Sequence, residues 1–432
     1  MAPKSAYSIL NVNKDASEEE IKRAYIELVK RYDPERHTDR FMVIQKAYER
    51  LTDPRQRARE DVFAFNAIAG KWYFTDAERE AASVEELKPQ IEALTPRGEE
   101  AATDETLRRQ LADLLMKRSC LLVKGRVWRD AIEDWKRVLK LDPTHHRARN
   151  NLGFAQIQLG YSYATHELYD EAASAWETAL QLNPDNPKLI HNLALAHEES
   201  GQKASARKYW QELIRHWKNE LDKSPDDPYL QERLVEVHKF QGDQAMGEPA
   251  RTGKIEDAQT ARREYTAALS IAPDDFKAQY SMAVTLMNDK KFKDACERLR
   301  TLNGKHPKNT EVLNLLGWAY LNSGEHERGF QTWRRSLAIE PGNQETKQNV
   351  IKARMQLAKS LRNKNQFTWA LVHLKELQKL TPTSEEVQFE IAETFKLKGD
   401  KRSAEKEYRR VIQINPANKA ATKALSEIRM GH

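Results

Sequence analysis

Eight times along this chain a small residue is followed four places later by a bulkier one, and eight or fifteen places after that by a proline. The triplets are Ala131/Trp135/Pro143, Ala172/Trp176/Pro184, Ala206/Trp210/Pro225, Ala261/Tyr265/Pro273, Ala295/Leu299/Pro307, Gly329/Trp333/Pro341, Ala370/Leu374/Pro382 and Ala404/Tyr408/Pro416. Residues four apart share one face of a helix, and proline inside a helix removes a hydrogen bond, so each triplet marks a helix with a packed face and a stop. The stretch Thr310 to Asn343 shows a whole unit. Leu316, Gly317 and Tyr320 share a first helix, Gly324 breaks it, Gly329 and Trp333 lie on a second, and Pro341 closes it. Such a chain must stack helix pairs.

This pattern resembles the tetratricopeptide repeat, a 34-residue helix–turn–helix unit. The resemblance implies an all-α fold in which an α-solenoid of about eight repeats winds as a right-handed superhelix over residues 106–432, with Lys419 to Met430 as a polar closing helix. Eight units of 34 would fill 272 residues, but Ala112 to Asn418 holds 307, and the excess of 35 is a multiple of seven. Seven residues is close to two helical turns and lengthens a helix without rotating its apolar face. That suits a long second helix, Ala204 to Lys223, in the third unit and a long first helix, Glu345 to Leu361, in the seventh. In the second and fourth units the excess is expected between the helices, at Gly160 to Asp170 and Gly242 to Glu256.

Residues 1–66 have a different pattern. Ser17 and Glu20 form a capping box before IKRAYIELVKRY. Ile21, Tyr25, Leu28 and Tyr32 face Phe41, Ile44, Ala47, Tyr48 and Leu51 across a short loop, an antiparallel hairpin. From YSIL through EEEIKRAY to KAYERLTDP this resembles the J-domain of DnaJ-type co-chaperones. In that family a His-Pro-Asp loop is required to stimulate a DnaK-type chaperone ATPase. Here the aligned residues are Asp33, Pro34 and Glu35. Of the family's basic face, Lys22, Arg23, Lys30 and Arg31 remain, while Ile26 and Glu27 stand where arginine and lysine are usual. A carboxylate in place of an imidazole carries permanent negative charge toward an acidic partner surface. The domain therefore reads as a J-like docking module.

Residues 67–105 read as a helical linker, with a break at Thr95-Pro96-Arg97-Gly98. The stretch Asp61 to Thr106 carries an aromatic patch, Phe63, Phe65, Trp72, Tyr73 and Phe74, which is expected to seat the linker on its own domain rather than to anchor a partner.

Composition excludes other classes. A mean hydropathy of −0.81 is low for one compact globule but fits an open stack with two solvated faces. Net charge +6 comes from 71 basic and 65 acidic residues interleaved along the chain, which does not point to nucleic acid. Neither a secretory leader nor an 18-residue apolar span is visible, so membrane association would run through a partner. Cys120 and Cys296 read as small buried residues of a reducing, cytoplasmic protein. His145 and His146 lack ligand partners, His197-Glu198-Glu199 lacks the second histidine of a zinc-protease helix, and no phosphate loop or serine elbow occurs; neither metal nor cofactor is expected.

Some tetratricopeptide domains clamp a C-terminal carboxylate with five set residues. Here only Asn151 and Lys188 match, while Met116, Cys120 and Asn192 do not, so no clamp is assigned. Arg147, Asn150, Asn151, Lys188 and Asn192 still mark the inner face that the family uses for ligands. The reading that results is a non-enzymatic scaffold that binds partner proteins in the repeat groove; its rival is a co-chaperone that recruits a DnaK-type ATPase.

Overall fold

The computed structural model describes residues 5–12, 16, 18–32, 37–80, 83–100, 104–247 and 257–430. Among them there is no strand. The chain divides into two compact units, Met1–Gln244 with Thr266–Pro273, and Ala245–Tyr265 with Asp274–His432.

The first unit opens with α1 (Ala6–Leu10), α2 (Glu18–Arg31), α3 (Thr38–Thr52) and α4 (Pro54–Val62). Ile21, Ile44, Ala47 and Leu51 are buried together with Tyr7 and Leu10, and Tyr25 stacks on Tyr48 at 4.1 Å between ring centres. This is the expected hairpin. Ser17 of the anticipated capping box, and Asp33, Pro34 and Glu35, lie outside the described residues.

A one-turn helix, α5 (Asp76–Arg79), and the 17-residue α6 (Val84–Glu100) lead into the repeats. The break expected at Thr95 to Gly98 is absent, because α6 runs through it. The Thr95 hydroxyl donates to Ile91 O (2.6 Å) and accepts from Arg137 (2.7 Å), which holds the turn before Pro96 in place. The residues before α5 are not helical either: 65–75 run without helix or strand.

The repeats of this unit are α7 (Glu105–Lys124) with α8 (Trp128–Leu141), α9 (His146–Thr165) with α10 (Tyr169–Leu182), and α11 (Pro187–Glu199) with α12 (Lys203–Lys223); α13 (Pro228–Met246) comes next. In the second unit α14 (Ala258–Ile271), whose last residues count with the first unit, precedes α15 (Phe276–Asn288), α16 (Phe292–Lys305), α17 (Thr310–Asn322), α18 (His326–Ile339), α19 (Gln344–Asn363), α20 (Phe367–Leu380), α21 (Glu385–Leu397), α22 (Lys401–Ile414) and the closing helix α23 (Lys419–Arg429).

The triplets do what their spacing demands. All eight small residues are buried, and Trp135, Trp176, Trp210, Tyr265, Trp333 and Tyr408 are among the largest fully buried side chains. Burying an indole of this size contributes about 4–6 kcal/mol before entropy is counted. The small partner makes this packing sterically possible. An added Cβ at Gly317 would lie 2.3 Å from Trp333 Nε1, and one at Gly160 would lie 2.3 Å from Trp176 Nε1. Several first helices are capped by a side chain that accepts the N3 amide, as with Asn186, Asp275, Asn309, Asn343, Ser384 and Asn418.

Ordinary first helices hold 13 residues and ordinary second helices 14. The extra sevens sit in helices: α12 has 21 residues and α19 has 20, as expected. The second repeat departs from expectation, since α9 also has 20 residues and continues through Gly160 to Thr165. Gly160 is there to admit Trp176, not to break the helix. The turn instead falls at Glu167, in left-handed backbone at φ 60°. Likewise Gly242 lies within α13, which ends at Met246; the remainder of the loop expected there, residues 248–256, is outside the described residues.

Candidate functional site

The first helices α7, α9, α11 and α13 carry one face of the first unit, and the chain's own residues 61–79 cross it in the order opposite to the repeats. Asp61 comes first. The residue is buried, and its carboxylate accepts from the Tyr229 hydroxyl of α13 (2.7 Å) and from the Tyr7 hydroxyl of α1 (2.9 Å). Burial, and then the Asp61 charge, push the Tyr7 phenol well above its ordinary pKa; burial and Asp61 raise Tyr229 likewise, against the opposing pull of Arg233. Both hydroxyls therefore stay protonated donors. Arg57 donates to the Tyr7 hydroxyl (3.0 Å) and to Ala16 O (2.8 Å), closing the hairpin domain onto this joint.

Next come two anchors on α11. His191 Nε2 faces Val62 O at 2.9 Å, so that nitrogen carries the proton, and Nδ1 accepts from the Asn66 side-chain amide. Asn192 binds the Asn66 backbone on both sides: its Oδ1 accepts from Asn66 N–H (2.6 Å) and its Nδ2 donates to Asn66 O (3.0 Å). The Tyr161 hydroxyl of α9 donates to the same carbonyl and accepts from Asn192 (3.2 Å).

Seven residues on, the arrangement repeats. Asn151 of α9 accepts from Tyr73 N–H (2.8 Å) and donates to Tyr73 O (3.2 Å). A carboxamide presents one acceptor beside one donor, the same pair a residue's backbone offers, so each asparagine reads main chain without regard to side chain. Asn151 and Asn192 are both wholly buried. The final anchors are Arg147, which donates to both oxygens of buried Glu78 (2.8 and 2.7 Å), and Lys124, which donates to Arg79 O (2.9 Å). Thr75 and Glu78 form a capping box that starts α5 at this point.

Side chains of the segment fill the spaces between. Phe65 packs on Trp176 (5.3 Å), and Trp72 packs among Trp128 (5.7 Å), Trp135 (5.8 Å) and Phe154 (4.7 Å). Gly70 passes so close to Phe154 that a Cβ there would lie 2.4 Å from the ring. Beside residues 68–73 a cleft of about 190 Å³ remains open, lined on the helix side by Asn150, Gly153, Asn183 and Asn186.

Of the five inner-face residues singled out in the sequence, Arg147, Asn151 and Asn192 converge on this segment. Asn150 is exposed at the cleft, and Lys188 is half-buried one turn before Asn192. Sequence reasoning missed Asp61, Asn66, Tyr161, His191 and Tyr229. The aromatic patch was the available sign, and it does seat the segment on its own domain, though as irregular chain and not as a helix. On the hairpin domain, Lys22, Arg23, Lys30 and Arg31 are all exposed along α2. No group of three or more metal-ligating side chains occurs among the described residues, and no helix there is long and apolar enough to cross a membrane.

Comparison with known proteins finds two families along the chain. The DnaJ domain model matches residues 5–61, and tetratricopeptide repeat models match 116–187, 157–228, 256–319 and 385–418. The chaperone protein DnaJ of Thermotoga maritima is 49% identical over 69 residues, which is 14% of this chain and 19% of that protein. That of Nitrosomonas europaea is 38% identical over 76 residues, 16% of this chain and 21% of the relative. The chain thus spans about a fifth of the length of the curated relatives it matches. Among solved structures, MamA of Desulfovibrio magneticus is 23% identical, covering 46% of this chain and 97% of that one at a TM-score of 0.31. A repeat protein of Cytophaga hutchinsonii is 13% identical, covering 71% and 98% at 0.33.

Proposed function

We propose that this chain, a DnaJ domain joined to tetratricopeptide repeats, is a non-enzymatic scaffold whose first helices hold non-helical segments of partner proteins. One observation carries the reading: in the first unit these helices do hold such a segment, the chain's own, through paired bonds to its backbone. The second unit repeats the key position. Asn349 lies 25 residues before Leu374, as Asn151 lies 25 before Trp176. Asn349 donates to Asn314 Oδ1 (2.9 Å), and Asn314 in turn donates to Glu345 (2.9 Å). Burial, then Glu311 and Glu345, push the Tyr280 phenol up to about 12, so its hydroxyl stays a protonated donor. Two buried free thiols suit a reducing compartment such as the cytoplasm, and any membrane association would run through a partner.

The test places a photo-crosslinking side chain at position 349 of the full chain in native extract. A defined set of partner peptides, competed by excess unlabelled chain, supports the scaffold; crosslinks only to abundant bystanders, or a turnover that depends on one side chain, would sink it.

The exposed Lys22, Arg23, Lys30 and Arg31 favour a second reading, a co-chaperone that recruits a DnaK-type ATPase. Its test is stimulated ATP hydrolysis by the full chain. Stimulation that disappears in Asp33→Ala and Glu35→Ala variants would establish it, and no stimulation at saturating chain would leave the scaffold alone.

A further inference from the structure

We infer that residues 61–79 are a displaceable resident ligand of the first unit's groove, and that this groove also receives a partner segment with the same pattern. That pattern is read from the resident: two aromatic side chains seven residues apart, here Phe65 and Trp72, an asparagine after the first, and a glutamate six residues after the second. The inference deepens the scaffold reading and rests on it.

Three features separate a docked ligand from a piece of core. The middle of the segment, residues 65–75, makes no helix or strand, so its backbone at Asn66 and Tyr73 is held by groove side chains. The domains that flank it have packing of their own, Ile21, Ile44 and Leu51 in the hairpin domain and Trp135, Trp176 and Trp210 in the repeats; the segment's Val62 joins the buried repeat cluster, while Phe65, Ile68, Trp72 and Phe74 pack against the repeats only partly buried. Finally, the groove is not filled where residues 68–73 cross it, since a cleft of about 190 Å³ beside Asn150 and Gly153 stays open along the segment. When the segment leaves, Asn151 and Asn192 would face the open groove, where water replaces the lost bonds.

Specificity comes from the geometry. The two asparagines fix register at positions 66 and 73, while the pockets on Trp176 and around Trp135 fix which side chains precede them. A peptide with one residue fewer between its aromatics cannot satisfy both. The resident segment competes at an effective concentration of about millimolar because it is tethered, so free peptide at micromolar concentration is excluded until the tethered copy is weakened.

The probe is a fluorescent synthetic peptide of residues 61–79, and the receptor is the full chain. Trp72→Ala alters only the resident segment, and the added peptide supplies the missing indole. The variant should bind the probe at least tenfold more tightly than the wild type, by anisotropy. Its melting temperature should rise with the wild-type peptide and not with a peptide carrying Trp72→Ala. Deleting Ala69 from the peptide should weaken binding at least tenfold, and adding Asn151→Ala and Asn192→Ala to the receptor should abolish it. Gly70→Val, which drives Phe154 away from Trp72, is the second opening variant. The inference is overturned if folded Trp72→Ala binds no better than the wild type, or if both variants lose cooperative unfolding, which would make the segment core. A wild-type dimer with exchanged segments overturns it as well, since the occupant would then be a second copy. Because the probe is the chain's own sequence, these results stand apart from crosslinking at position 349.

Discussion

Replacing Asn192 by alanine is the sharpest perturbation of the groove. The side chain is wholly buried and makes three bonds: it accepts from Asn66 N–H and donates to Asn66 O and to the Tyr161 hydroxyl. Truncation removes the acceptor that Asn66 N–H uses, at about 1–3 kcal/mol for a buried unsatisfied group. Asn66 O keeps Tyr161, so losing its second donor costs only about 0.5–1.5 kcal/mol. The sum, about 2–4 kcal/mol, falls first on the local attachment of the segment. By hydrogen exchange, the Asn66 amide should lose protection by about 30- to 1,000-fold, at 1.4 kcal/mol per factor of ten. Asn150→Ala, at the exposed neighbour of Asn151, should change it by less than about 0.5 kcal/mol. An Asn66 amide equally protected in Asn192→Ala and wild type would show that the carboxamide does not hold the segment, and the reasoning about paired backbone bonds would fail.

Three further outcomes concern the helices and turns outside the groove. Gly317→Ala forces Trp333 away from its bond to Asn314 O (3.0 Å) and should destabilise the second unit by about 1–3 kcal/mol in a urea titration. Glu167→Gly relieves left-handed backbone at φ 60° and should be neutral to stabilising by up to about 1 kcal/mol in the same assay, despite the freer unfolded chain. His373 is buried beside Arg354 (3.2 Å), and burial first and Arg354 second lower its pKa, outweighing Glu327 and Glu376. The unfolded chain then takes up the proton more readily, so stability present above about pH 6.5 should be lost as pH falls through that value, by at most about 1.4 kcal/mol per unit; His373→Leu should flatten that dependence.

Local pattern was enough to define the helix pairs, because a small residue four places from a bulkier one and a proline eight or fifteen places beyond it set a packed face and a stop within the pair itself. It was enough for the hairpin domain too, whose two apolar faces are each complete within one helix. The lengthened helices α12 and α19 were legible, and neither holds a glycine. Gly160 misled because one residue type serves two purposes: a glycine that ends a helix and one that makes room for Trp176 look alike until the second helix is in place. The fate of residues 65–75 was settled only by packing. Their aromatic residues showed that something apolar had to be covered, but Asn151 and Asn192, the partners that hold the backbone, lie 78 and 126 positions away in the chain. A carboxamide that reads main chain leaves no mark in the sequence it reads, so this pairing appears only when the repeats have stacked and brought their first helices side by side.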